Sequence, residues 1–209
     1  MLSPTQRQPF MIAIAVMALI VLASNILVQH PVQAYGLQDY LTYGAFTYPF
    51  AFLVTDLCNR RFGPVLARRV VYVGFAIAVA LSIYFATPRI AIASGTAFLV
   101  SHLIDIGIFD RLRRMAWWAP PLVSSVIASG IDTAIFFSFA FHCGPVVGDM
   151  TITQMLGVVG IPDACIALPW QTLAMADYGV KLGLALIALI PYGAMLRFVG
   201  QQGAVNGRA

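Results

Sequence analysis

Glutamate is absent from these 209 residues, and lysine occurs once, as Lys181. The acids are eight aspartates, every other base is an arginine, and charged residues make up only 10% of the chain. So little charge excludes the solvated surface of a soluble domain of this length. Cysteine is scarce too: Cys58, Cys143 and Cys165 lie far apart, with no C-x-x-C and no metal-ligand spacing. No nucleophile elbow, H-E-x-x-H, phosphate-binding loop or dinucleotide fingerprint occurs, so neither an enzyme nor a cofactor or metal is expected. No linker or low-complexity tract interrupts the chain, and residues 1–209 read as one domain.

What is present is apolar. Hydrophobic residues are 60% of the chain and the mean hydropathy is +0.87, a membrane composition. The runs predict an all-α membrane protein of six transmembrane helices, at residues 10–28, 42–58, 70–86, 90–109, 121–141 and 173–199. Val32-Gln33-Ala34 resembles a signal-peptidase site, but it lies far from the end of the first run, and a retained helix is expected. The second run is the least apolar, and Pro49 is expected to kink or break it. Thr87-Pro88 makes a tight turn, so the third and fourth helices form a hairpin.

The net charge of +4 is no nucleic-acid footprint, because the arginines sit in short clusters between apolar runs. Arg60, Arg61, Arg68, Arg69, Arg111, Arg113 and Arg114 fall in the second and fourth loops. The first and fifth loops carry no base, so those arginine loops and both termini are expected to be cytoplasmic. Trp117 and Trp118 suit an interfacial belt.

Polar groups inside the runs mark a candidate site. A charge at mid-bilayer costs roughly 2.5–3.5 kcal/mol on insertion scales, so it faces a cavity or a partner. Asp177 and Lys181 are four residues apart, on one helix face, with the acid N-terminal. They form either a polar site within the bundle or a snorkelling pair near the surface, and the bundle site is favoured. Asp132 is far from any loop charge, and Lys181 is its natural partner. Asp56 and Asp105 stand near the cytoplasmic ends of their helices, where they either serve the site or pair with Arg60, Arg61, Arg69 or Arg111. Asn25 is a candidate too, or interhelical glue. His102 and His142 read as structural.

Several segments together resemble the queuosine-precursor transporters, also called vitamin uptake transporters or DUF165. They are Tyr48-Pro49-Phe50, Thr55-Asp56-Leu57, Phe62-Gly63 and Ala67-Arg68-Arg69, then Ile104-Asp105-Ile106 and Phe109-Asp110-Arg111-Leu112-Arg113. Asp132-Thr133, Phe136-Phe137, Asp177-Tyr178 with Lys181, and Pro191-Tyr192 complete the set. The resemblance implies import of 7-cyano-7-deazaguanine and 7-aminomethyl-7-deazaguanine across a bacterial inner membrane, for tRNA modification. It also implies the six-helix architecture of the substrate-binding subunits of energy-coupling-factor importers. The substrate-binding candidates are then Asp132, Lys181, Asp177, Asn25, Tyr48, Asp56 and Asp105. Tyr43, Tyr48, Phe136 and Phe137 would supply stacking surface.

The alternative is a true subunit of such an importer, serving another vitamin or heterocycle. Its usual Ala-x-x-x-Ala docking pattern is missing from the first run, where positions 13/17, 15/19 and 18/22 read Ala/Met, Ala/Leu and Ala/Leu. Small residues at 91/95 and 93/97 permit close packing, either inside the bundle or in a homodimer. Cys143 and Cys165 fall in a base-free loop and are expected to form a disulfide if that loop faces an oxidising compartment.

Overall fold

The computed structural model describes residues 4–27, 30, 32–33, 41–47, 49–85, 88–141, 146–147, 150–151 and 170–205. Tyr48, His142, Cys143 and Cys165, with the expected disulfide, lie outside them. Five long helices dominate: α1 (Pro4–Leu27), α4 (Pro64–Phe85), α5 (Pro88–Leu112), α6 (Ala119–Phe141) and α7 (Trp170–Val205). Each is long and apolar enough to cross a membrane. Strands β1 (Val146–Val147) and β2 (Met150–Thr151) pair antiparallel after α6.

The second expected span is broken rather than kinked. It consists of α2 (Gly44–Thr47) and α3 (Phe50–Phe62), separated at Pro49. Proline removes a helical N–H and its ring clashes with the preceding turn. The short helix survives because side chains take over its backbone groups: Thr47 Oγ1 donates to Gly44 O at 3.1 Å and lies 3.0 Å from Ser24 Oγ on α1.

The α3–α4 junction is tight because Gly63 adopts φ +86°, a left-handed value that glycine tolerates. Gly63 N donates to Asn59 O, and Pro64 opens α4 with the φ that a first helical residue needs. Midway along α4, Gly74 lets α1 approach closely, since a Cβ there would stand 2.9 Å from Met17 Cγ.

Helix α3 sits in the middle, against α1, α4, α5, α6 and α7. Its position explains its composition. Shielded from lipid by other helices, it buries Thr55, Asp56 and Asn59 alongside Ala51, Phe52, Val54 and Cys58. The apolar core beside it joins Phe10, Met17 and Val21 of α1 to Ala67, Val70, Val71 and Ala78 of α4 and Phe98 and Ile106 of α5. Half of the α5 span is buried within the chain against 6% of the α7 span, so α5 is central and α7 peripheral. Ala93 and Ala97 of α5 are buried, and Gly95 packs on Phe75 and Val79 of α4. The small-residue stripe is thus used inside the chain, which removes the support it lent to a homodimer.

The two arginine-rich junctions meet. Arg60 at the end of α3 donates to Arg113 O at 2.9 Å, and Arg113 donates to Asn59 O and to Asn59 Oδ1, the latter at 2.8 Å. Asn59 Nδ2 donates in turn to Ile106 O at 3.0 Å. Guanidinium groups here complete carbonyls at helix C-termini, where the peptide dipoles favour positive charge. The second and fourth loops therefore lie at one end of the bundle, as the positive-inside pattern requires.

Candidate functional site

Helix α7 presents Asp177 and Lys181 one turn apart, and their charged groups meet, with Lys181 Nζ 2.6 Å from Asp177 Oδ2. From α6, Asp132 Oδ2 accepts a hydrogen bond from Lys181 Nζ at 2.8 Å and Thr133 Oγ1 accepts another at 3.0 Å. The Thr133 hydroxyl passes its own hydrogen to Asp177 Oδ2 at 2.8 Å. From α5, Ser101 Oγ lies 3.2 Å from Asp132 Oδ1 as a donor. An ammonium has three hydrogens, and two carboxylates and a hydroxyl use them all. Lys181 and Asp132 are 5% and 2% exposed, so this is a bundle site and not a snorkelling pair.

A second acidic group lies next to the first. Asp56 of α3 and Asp105 of α5 are buried and close enough to interact electrostatically. Neither makes an ion pair with the arginines considered for it: Arg60 donates to Arg113 O, Arg61 lies over the Phe62 ring, and Arg69 and Arg111 are exposed. Among the described residues no ion pair reaches either carboxyl. Asp56 Oδ2 has a marginal contact with Ser125 Oγ at 3.5 Å, while Asp56 Oδ1 and both oxygens of Asp105 have no hydrogen-bond partner. Ser124 Oγ and Tyr192 OH are buried and unpartnered as well.

One cleft links the two groups. It is narrow, and it opens at its mouth. Asp56, Ser125, Ser129 and Lys181 give it polar walls, and Phe52 and Tyr192 give it rings. Asp105 is not among its lining residues and stands behind Asp56.

The other candidates separate from this centre. Asn25 donates to Val21 O one turn back on α1 and does not line the cleft. Tyr43 is exposed, and Phe136 and Phe137 pack edge to face with each other away from the cleft lining. His102 is sandwiched between Phe52 and Phe98, each ring 4.2 Å away, and its Nδ1 donates to Phe98 O at 2.9 Å, a packing role. Sequence reasoning missed Ser101, Phe52 and Tyr192 as site residues. A signal existed for the serines of α6: Ser125, Ser129 and Asp132 follow helical spacing and so share one face.

A family model described as "Putative vitamin uptake transporter" matches residues 42–87 and 81–195. The "Queuosine precursor transporter" of Escherichia coli (strain K12) is 31% identical over 94% of this chain and 91% of its own length. The "Probable queuosine precursor transporter" of Haemophilus influenzae is 31% identical, covering 86% of this chain and 83% of the relative. That of Bacillus subtilis (strain 168) is 25% identical over 81% and 76%. No solved structure matches the chain.

Proposed function

This chain belongs to the vitamin uptake transporter family, is a multi-pass protein of a bacterial inner membrane and a transporter rather than an enzyme, and from that premise we propose that it imports queuosine precursors. The substrates are 7-cyano-7-deazaguanine and 7-aminomethyl-7-deazaguanine. One observation carries the reading: Lys181 and Asp56 line the same small cleft, with Lys181 held by Asp132 and Asp177. A guanine-like edge presents two adjacent N–H donors and a carbonyl. Asp56 has an open acceptor oxygen for the donors, and the Lys181 ammonium suits the carbonyl. Asp132 and Asp177 keep that ammonium charged and in place. Phe52 and Tyr192 offer ring surface to the heterocycle.

The broken pair α2–α3 completes a sixth crossing in this proposal. At about 1.5 Å per residue, residues 44–62 reach nearly the 30 Å of a hydrocarbon core. Both termini then lie on the cytoplasmic side with the arginine junctions. The helix count matches that of energy-coupling-factor substrate subunits, but the assay below contains no coupling module.

The test is uptake by purified full-length protein in liposomes. Labelled 7-cyano-7-deazaguanine should enter saturably, and unlabelled 7-aminomethyl-7-deazaguanine should compete where riboflavin and thiamine do not. Absence of uptake, or equal competition by the unrelated vitamins, overturns the substrate assignment.

A further inference from the structure

Of the four carboxyl groups Asp56, Asp105, Asp132 and Asp177, two engage the one ammonium, and that ammonium is fully used by Asp132, Asp177 and Thr133. Among the described residues no cation pairs with the remaining two. Asp56 is 2% exposed and Asp105 0%. Five polar atoms converge there without a hydrogen-bond partner: Asp56 Oδ1, both oxygens of Asp105, Ser124 Oγ and Tyr192 OH. Ser124 and Tyr192 are themselves fully buried, so the vacant capacity is not turned to bulk water.

The surrounding elements supply no compensating charge among the described residues. On α3 the neighbours are Thr55, bonded to Ala51 O, and the buried thiol of Cys58. His102 of α5 is bonded to Phe98 O and stacked between two phenylalanines. Helix α6 adds Ser124, Ser125 and the already paired Asp132; α7 adds Tyr192 and the engaged Lys181. Arg61 of α3 lies over the Phe62 ring, Arg68, Arg69, Arg111 and Arg114 are exposed, and Arg60 and Arg113 are committed to carbonyls and to Asp110.

We propose that Asp56 and Asp105 together hold one exchangeable proton, and that this proton is the ion carried inward with the substrate. The inference rests on the transport reading above. Two carboxyl groups in a dry interior with no cation beside them cannot both ionise. Asp56 lines the cleft with Lys181 and has Ser125 Oγ at 3.5 Å, so in this proposal the charge rests on Asp56, able to accept the N–H edge of a substrate, and the proton on Asp105. The hydroxyls of Ser124 and Tyr192 are buried and without acceptors of their own, so a small shift would let them donate to the charged member. When the cleft opens to the cytoplasm the proton leaves Asp105, and a second negative charge appears behind Asp56. Lys181, which lines the same cleft, is then drawn from Asp132 towards Asp56 and displaces the substrate's donors. One proton is taken up outside and one is released inside, and no covalent bond other than O–H changes.

Two measurements on the full chain test this. In liposomes, the parent should exchange labelled for unlabelled 7-cyano-7-deazaguanine with no gradient, and should accumulate it about tenfold per pH unit when the outside is acid. Asp105→Asn should keep the exchange and lose the accumulation. Unchanged accumulation in Asp105→Asn, or accumulation driven equally by a sodium gradient at constant pH, overturns the proposal. The second measurement needs no substrate. Infrared difference spectra across a pH titration should show a protonated-carboxyl band near neutral pH that Asp132→Asn retains and Asp105→Asn loses. If the parent shows no such band, the shared proton is refuted, and this holds even if Asp105→Asn fails to fold. If the band is present but no deazaguanine exchange occurs, the substrate assignment fails while the acid pair stands.

Discussion

Lys181 Nζ lies 2.8 Å from Asp132 Oδ2, an ion pair that ties α7 to α6 across 49 residues of sequence. Both side chains are buried, so neither has water to fall back on. In such a place the attraction between partners offsets their desolvation only while both are present.

Removing the cation alone should therefore be costly. Lys181→Ala strands two carboxylates, and the expected loss is about 3–5 kcal/mol of stability, with uptake abolished. Thermal unfolding in detergent would read it. The double variant Lys181→Met with Asp132→Asn should recover much of the lost stability and none of the transport. A Lys181→Ala protein as stable and active as the parent would show that the pair does nothing.

Replacing Asp132 by Asn keeps shape and hydrogen-bonding capacity while removing the charge that holds the ammonium. Asp132→Asn should reach the membrane at normal yield and retain its fold, because Asp177 and Thr133 still engage Lys181. Uptake should disappear. Normal transport at normal yield would exclude Asp132 from the substrate site.

At the arginine end, Asn59 makes three hydrogen bonds to two residues: to Ile106 O through its amide nitrogen, and to Arg113 through both its side-chain and backbone oxygens. Asn59→Ala removes the side-chain acceptor of the half-buried Arg113 guanidinium and should cost about 1–3 kcal/mol. Its substrate affinity should change little, because Asn59 does not line the cleft. A binding titration beside a melting curve separates the two effects.

Where α1 crosses α4, Gly74 faces the Met17 side chain with no space for a branched group. Gly74→Val should destabilise the bundle by about 1–3 kcal/mol through overpacking. Met17→Ala should relieve part of that loss in the same chain. Equal melting temperatures for Gly74→Val with and without Met17→Ala would mean that the crossing has shifted.

Much of the helix layout was legible along the chain. A segment in lipid must be long, apolar and internally hydrogen-bonded, so hydropathy located α1, α4, α5, α6 and α7 without reference to any contact. Four-residue spacing placed Asp177 beside Lys181, because successive turns of one helix are always neighbours. Scarcity did the rest: with a single lysine in the chain, a buried Asp132 had few possible cations, and the pairing followed from charge balance.

Contacts between distant turns were not legible in that way. Pro49 announced a disturbance, but its outcome as a full break depended on side-chain bonds within α2 and on a contact with Ser24 of α1. Asp56 and Asp105 had arginines nearby in sequence, yet Arg60 reaches a helix-end carbonyl, Arg61 lies over Phe62, and Arg69 and Arg111 are exposed, which leaves the two acids to each other. The small stripe on α5 could face outward or inward, and the packing of Gly95 on Phe75 and Val79 decided it. Composition and periodicity act within one helix, over a few residues, and the sequence by itself determined what each helix is and which of its faces is polar. Which polar faces meet depends on how helices pack around α3, and packing is a property of all the side chains together. That packing brings Asp132 of α6 to Lys181 of α7 and sets Asp56 of α3 on the same cleft.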